Sequence, residues 1–154
     1  VYQLTSWVRK FRPHVMLTFG PDGGVTGHPD HGMAGVFASL AFHWSGHSNR
    51  YADQLTDGVS AARPQKLYYC TAEFELPDRQ PIVLPPSTAI IDIGEHLETK
   101  IKAFKAHQTQ SPLWPLFEDH ARKHGPREMF HLAAWVKNRP VNMETDLFDG
   151  VEEE

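Results

Sequence analysis

The stretch VMLTFGPDGGVTGHPDHG, Val15 to Gly32, decides how the chain folds. Its first five residues form a short, largely apolar run between Pro13 and Gly20-Pro21, a pattern better suited to a buried parallel strand than to an alternating half-exposed one. The thirteen residues from Gly20 to Gly32 hold five glycines, two prolines, two aspartates and two histidines. Glycines free the backbone for close approach to a ligand, and Pro21 and Pro29 stiffen the segment. Beyond it, Met33, Val36, Phe37, Leu40, Ala41 and Trp44 recur at helical spacing up to Gly46. A strand therefore leads through a shaped loop into a helix, at the edge of an open sheet where ligands gather.

The rest of the chain repeats this alternation. Upstream, Leu4, Trp7, Val8 and Phe11 mark one face of an amphipathic helix that ends at Arg12-Pro13, because the residue before proline is pushed out of the α region. Downstream, Lys66 to Thr71 reads as a second strand and Thr88 to Ile93 as a third. Leu97, Ile101 and Phe104 mark a helix running to about His107, and LFEDHARKH, Leu116 to His124, a shorter one. The form of Arg127 to Val136 stays open. Trp7, Phe37, Trp44 and Phe104 are expected in the core. ELPDRQPIVLPPS, Glu75 to Ser87, carries four prolines in thirteen residues and predicts an irregular surface excursion. The fold class is α/β, with a mostly parallel Rossmann-like sheet flanked by helices and an acidic tail over residues 143–154 whose last three glutamates are expected to be solvated.

With 154 residues, the chain suits one domain, residues 1–142 plus that tail. A net charge of -4 without a Lys/Arg cluster argues against nucleic acid as a partner, and no apolar run is long enough for a membrane span. Cys70 is the sole cysteine, so a cysteine-rich zinc site and an intrachain disulfide are excluded; a reducing, cytoplasmic setting is the expectation. Ten histidines are the compositional outlier. Of these, His28 and His31 flank Pro29-Asp30 at the start of the helix. One imidazole could ligate zinc while the other moves a proton or acts as an electrophile, with Asp30 orienting one of them. A surface turn with an aspartate cap would also account for the pair. His43 and His47 suit a helix C-terminal cap or a surface role, Asp92 could reach a ligand but better suits an N-cap, and His107 and Gln110 have no chemistry assigned.

The run R-P-x-V-x-x-T-F-G-P-D-G-G-x-x-G-H-P-D-H, Arg12 to His31, resembles a signature of the PIG-L/LmbE-like zinc N-deacetylases. This family includes N-acetylglucosaminyl-phosphatidylinositol, mycothiol-pathway and bacillithiol-pathway deacetylases. KLYY and IDIGEHLETKIKAFKAHQTQ, Ile91 to Gln110, look like the family too, and the likeness runs to about Leu132. It implies a Rossmann-like fold and hydrolysis of the acetamido group of an N-acetylglucosamine-type substrate by zinc-bound water. It further implies His31 as a zinc ligand, His28 as the imidazole serving the oxyanion or the leaving amine, and Asp30 as the partner of His28.

Two departures accompany the resemblance. The family's earlier A-H-P-D-D-E type motif, which completes its zinc site and supplies its general base, does not occur in these 154 residues. Together with Val1 in place of Met, this gives the expectation of a C-terminal portion that associates with itself or with an N-terminal part. Thr26 stands where some relatives place a tyrosine. The competing expectation is a non-catalytic remnant that binds a sugar or a partner.

Overall fold

The computed structural model describes residues 1–76, 83–138 and 142–153. Four strands form one sheet in the order β1-β2-β4-β3: β1 Val15–Phe19, β2 Lys66–Thr71, β3 Ala89–Asp92 and β4 Arg127–Trp135. β1 and β2 pair in parallel, while β4 runs antiparallel to both β2 and β3. β1, β2 and β3 thus share a direction, and Phe19, Thr71 and Asp92 end at the same edge of the sheet. Four α-helices accompany them: α1 Tyr2–Phe11, α2 Pro29–Ser45, α3 Leu97–Lys105 and α4 Trp114–His124. No helix among the described residues is long and apolar enough to cross a membrane.

The expected elements are present, and the open stretch after Pro126 is the long strand β4. Alternation could not reveal β4, because a register shift between Leu67 and Tyr68 of β2 interrupts its pairing. Its central position makes the sheet mixed. Of the proline-rich excursion, residues 77–82 lie outside the described residues; the remainder has no regular structure.

The faces of two helices differ from expectation. In α1 the buried residues are Thr5, Val8 and Arg9, whereas Trp7 is 53% and Phe11 74% exposed. Trp7 and Phe11 stack on each other at 5.3 Å, and the Lys10 ammonium lies 5.3 Å from the Trp7 ring. Phe37 is also exposed, and so is Leu17 on β1, an edge strand among the described residues. Apolar spacing identifies a helix but not what lies against it.

Arg9 is the reason α1 turns this way. Its side chain, 1% exposed, is wrapped by the end of α2 and the loop that follows. Nε donates to the Ser45 carbonyl at 3.1 Å, Nη1 to the Tyr51 carbonyl at 3.0 Å, and Nη2 to the His47 and Arg50 carbonyls at 2.9 and 2.6 Å. The last carbonyls of a helix have no partner within it, and a guanidinium satisfies several at once. Arg9 thus fills the cap offered to His43 and His47, which take the surface alternative: both are exposed, and the His43 pKa is lowered by partial burial and then by Arg63 and His47.

A buried ion pair pins the chain's acidic end. Lys66 Nζ meets Glu144 Oε1 at 2.6 Å and the Tyr68 hydroxyl at 2.9 Å, with both charged side chains nearly inaccessible. Burial, followed by the neighbouring Glu144 carboxylate, pushes the Tyr68 phenol far above its ordinary pKa. Glu144 bridges to Ala89 beside β3, and Gln65 exchanges hydrogen bonds with the Glu152 backbone. The acidic segment is thus docked on the sheet through Glu144, while Glu152 and Glu153 at its end have exposed side chains, as expected of the last glutamates.

α3 and α4 form a hairpin closed by Phe104 on Phe117, whose ring centroids are 3.9 Å apart, and by Arg122 bridging Glu98 and Glu118. On α4, His120 stacks with His124 at 4.6 Å and meets Phe74 at 3.9 Å with the two rings tilted by 57°. Burial, then His124 and Lys100, lowers the His120 pKa.

Two outcomes are expected. Arg9→Ala takes the guanidinium from the Arg50 carbonyl and a second donor from the Ser45, His47 and Tyr51 carbonyls, which keep backbone partners, so urea unfolding should show a loss of about 1–3 kcal/mol. The lowered pKa of His120 means that the unfolded chain binds its proton more readily. The associated stability is complete above the unfolded value near ~6.5 and is lost as pH falls through the lower folded value. The melting temperature should therefore fall more steeply on acidification below ~6.5 in the parent chain than in His120→Gln.

Candidate active site

The loop from β1 to α2 is shaped by its backbone. Asp22 Oδ1 accepts the Gly24 N–H at 2.7 Å, and a 3-10 turn over Gly24–Thr26 ends at Gly27. Gly23 has φ +85°, and a Cβ there would lie 2.8 Å from the His28 carbonyl oxygen, so only glycine fits. α2 then begins at Pro29, one turn earlier than the apolar spacing indicated, because His28 is its N-cap and proline suits the first helical position. Gly35 lets the helix close on the strand: a Cβ there would meet the carbonyl oxygens of Phe19 at 2.4 Å and Gly20 at 2.8 Å. Ser39 Oγ, 2.8 Å from the Tyr69 hydroxyl, ties the same helix to β2.

These constraints bring His28 and His31 together, with ring centroids 5.2 Å apart. Their environments differ. His28 is 54% exposed, and its Nδ1 accepts the Asp30 backbone N–H at 3.1 Å. In the neutral ring the proton therefore sits on Nε2, making that nitrogen a donor. The Asp30 carboxylate is 90% exposed and 3.9 Å from His28 Nδ1; the close contact to His28 comes from the Asp30 backbone.

His31 lies face to face with Phe19 at 4.0 Å, the ring planes within 3° of each other. Its Nδ1 is 3.1 Å from Thr26 Oγ1 and 3.3 Å from the Gly23 carbonyl oxygen. A carbonyl can only accept, so these partners suit a protonated Nδ1 and leave a lone pair on Nε2. That is the form in which a histidine ligates a metal. No group of three histidine, cysteine, aspartate or glutamate side chains able to hold a metal occurs among the described residues. His31 thus fits as one ligand, and a complete metal site is not present in this set.

At the same sheet edge, Asp92, Gly94, Glu95 and His96 line an open pocket of about 380 Å³. Asp92 Oδ1 accepts the Gly94 N–H two residues on at 2.8 Å, a local turn rather than the expected N-cap, since Ile93 precedes the 3-10 turn Gly94–His96 and His96 precedes α3. His107 and Gln110 are exposed and linked only through their backbones, the Gln110 N–H bonding to the His107 carbonyl at 2.9 Å. Sequence reasoning passed over Phe19, Gly23 and Thr26 as a cradle for His31. Thr26 had drawn notice only for differing from a tyrosine, and no spacing rule links it to an imidazole five positions on.

No family model matches the chain. Among curated proteins, it is 28% identical to 1D-myo-inositol 2-acetamido-2-deoxy-alpha-D-glucopyranoside deacetylase 2 of Catenulispora acidiphila, over 96% of this chain and 59% of that protein. It is 30% identical to the deacetylase of the same description from Saccharomonospora viridis, over 98% of this chain and 58% of the relative. The chain belongs to the PIG-L/LmbE-like N-deacetylase family. It spans somewhat more than half the length of these two relatives. The fold agrees with that of the N,N'-diacetylchitobiose deacetylase of Pyrococcus horikoshii, at TM-score 0.64 and 20% identity over 84% of this chain and 49% of that one. A conserved protein of Thermus thermophilus gives a TM-score of 0.63 at 18% identity, over 90% of this chain and 60% of that one.

Proposed function

We propose that this chain carries the GHPDH part of the active site of an N-deacetylase that hydrolyses the acetamido group of an N-acetylglucosamine-type substrate. The supporting observation is the pair of imidazoles at one helix start with different Nδ1 partners. His28 presents an Nε2–H donor, and His31 an Nε2 lone pair. The kinship with deacetylases of an N-acetylglucosaminyl inositol gives the substrate class.

In the reaction, water adds to the amide carbon, the C–N bond breaks, and acetate and a free amine leave. Charge develops on the amide oxygen as water adds, and a fixed donor beside it lowers the barrier. His28 fills that role through Nε2–H; in its protonated form it delivers a proton to the departing amine nitrogen. Asp30 supports it, by its backbone N–H at Nδ1 and by its carboxylate when the ring is charged. His31 would be a zinc ligand through Nε2, with the remaining ligands and the general base outside the described residues. The chemistry such an ion supplies when bound is Lewis acidity toward the amide carbonyl and toward water.

The same reading assigns a partner to the exposed apolar surface. Leu17 on the open edge of β1, Trp7 and Phe11 on α1, and Met33 and Val36 on α2 would pack against further strand-bearing chain, from the same polypeptide or another.

The test is acetate release from an N-acetylglucosaminyl inositol by the protein in its native assembly. We expect acetate and amine in equal amounts, loss of turnover in His31→Gln, and a kcat lower by about 10²–10³-fold in His28→Gln. Saturable sugar binding without acetate release would overturn the catalytic reading in favour of a binding module.

A further inference from the structure

We infer that the Thr26 hydroxyl is a positioning group for His31: it accepts the Nδ1 proton and thereby keeps the Nε2 lone pair directed outward from the loop. This inference rests on the reading of His31 given above for its functional meaning, but its physical basis is local.

The His31 ring has two features that need fixing, its plane and its tautomer. Phe19 addresses the first, since face-to-face stacking at 4.0 Å and 3° limits tilting of the ring. It says nothing about which nitrogen carries the proton. The second depends on what faces Nδ1, and two oxygens do. The Gly23 carbonyl, at 3.3 Å, lies just beyond the usual N–H···O range, while Thr26 Oγ1, at 3.1 Å, lies within it. The hydroxyl is therefore the better acceptor, and the carbonyl sets its sense. If Thr26 donated to an unprotonated Nδ1 instead, the Gly23 oxygen would face a lone pair with no hydrogen between them, an unfavourable contact in a partly buried site.

The loop holds Thr26 in place for this purpose. Thr26 ends the 3-10 turn that Asp22 anchors, and Gly27, at φ +57°, reverses the chain into His28. Its β-branched side chain has restricted χ1 freedom, so the hydroxyl direction is set at little entropic cost. Valine keeps that shape and removes the acceptor; serine keeps the acceptor and removes the methyl group.

The experiment is two-bond 1H–15N correlation on the 15N-histidine-labelled chain, without added metal or substrate, in the pH range where the imidazole is neutral. His31 in the parent chain should show a protonated Nδ1 and an unprotonated Nε2. In Thr26→Val the ratio of Nδ1–H to Nε2–H tautomer should fall at least about threefold, the scale set by one hydrogen bond of ordinary net strength. Thr26→Ser should restore the parent pattern. A parent chain with the proton on Nε2, or a folded valine variant with an unchanged ratio, overturns the inference. If the valine variant does not fold, the parent spectrum and the serine variant still decide it, since both must show the Nδ1–H form. The readout involves no turnover, so a protein that fails to release acetate but shows this tautomer pattern defeats only the deacetylase reading.

Discussion

The close approach of α2 to the end of β1 governs the site. Helix and strand meet where Gly35 lies against the carbonyl oxygens of Phe19 and Gly20, at a separation that leaves no room for a side chain. That contact sets the height of the first helical turn above the strand, and so where His28 and His31 stand. At the other end of α2, the Arg9 guanidinium gathers the Ser45 carbonyl with those of His47 and Arg50 in the following loop, and holds α1 alongside. A helix fixed at both ends can present its first turn as a rigid platform, which a catalytic constellation requires.

On that platform two residues of one type acquire different chemical character from their neighbours. His28 caps the helix, and its Nδ1 accepts a backbone N–H. His31, one turn further in, stacks on Phe19 and faces oxygens at Nδ1. The two rings, 5.2 Å apart, therefore present a donor and a lone pair from one helix turn. Neither property belongs to histidine as a residue type; each arises from the atom opposite Nδ1.

Much of the candidate site was legible in the chain. Glycines and prolines between an apolar run and a helical repeat announce a shaped strand-to-helix turn, and the paired histidines within it announce chemistry. The cradle around His31 was not legible, because Phe19, Gly23 and Thr26 reach it through a turn with three positive-φ glycines, Gly23, Gly24 and Gly27, rather than through a fixed residue spacing. The outward face of α1 was misread for a related reason. Leu4, Trp7 and Phe11 form an apolar stripe, but Arg9 finds more partners inside than they do, since six carbonyl or amide oxygens converge on it. A buried cation with its donors satisfied can outrank apolar surface in choosing which side of a helix turns inward.

The sequence by itself determined the alternation of strands and helices, the position of the glycine loop between the first strand and the second helix, and the family. These are local or near-local properties, written in periodicity and in backbone preferences that hold wherever the segment lies. Only the tertiary structure decided that β4 runs antiparallel in the middle of the sheet, that the acidic end docks through Glu144 on Lys66, and that His28 and His31 carry different Nδ1 partners. Those outcomes depend on groups far apart in the chain, or on single atoms brought within hydrogen-bond distance by a folded turn, and neither periodicity nor composition encodes such meetings.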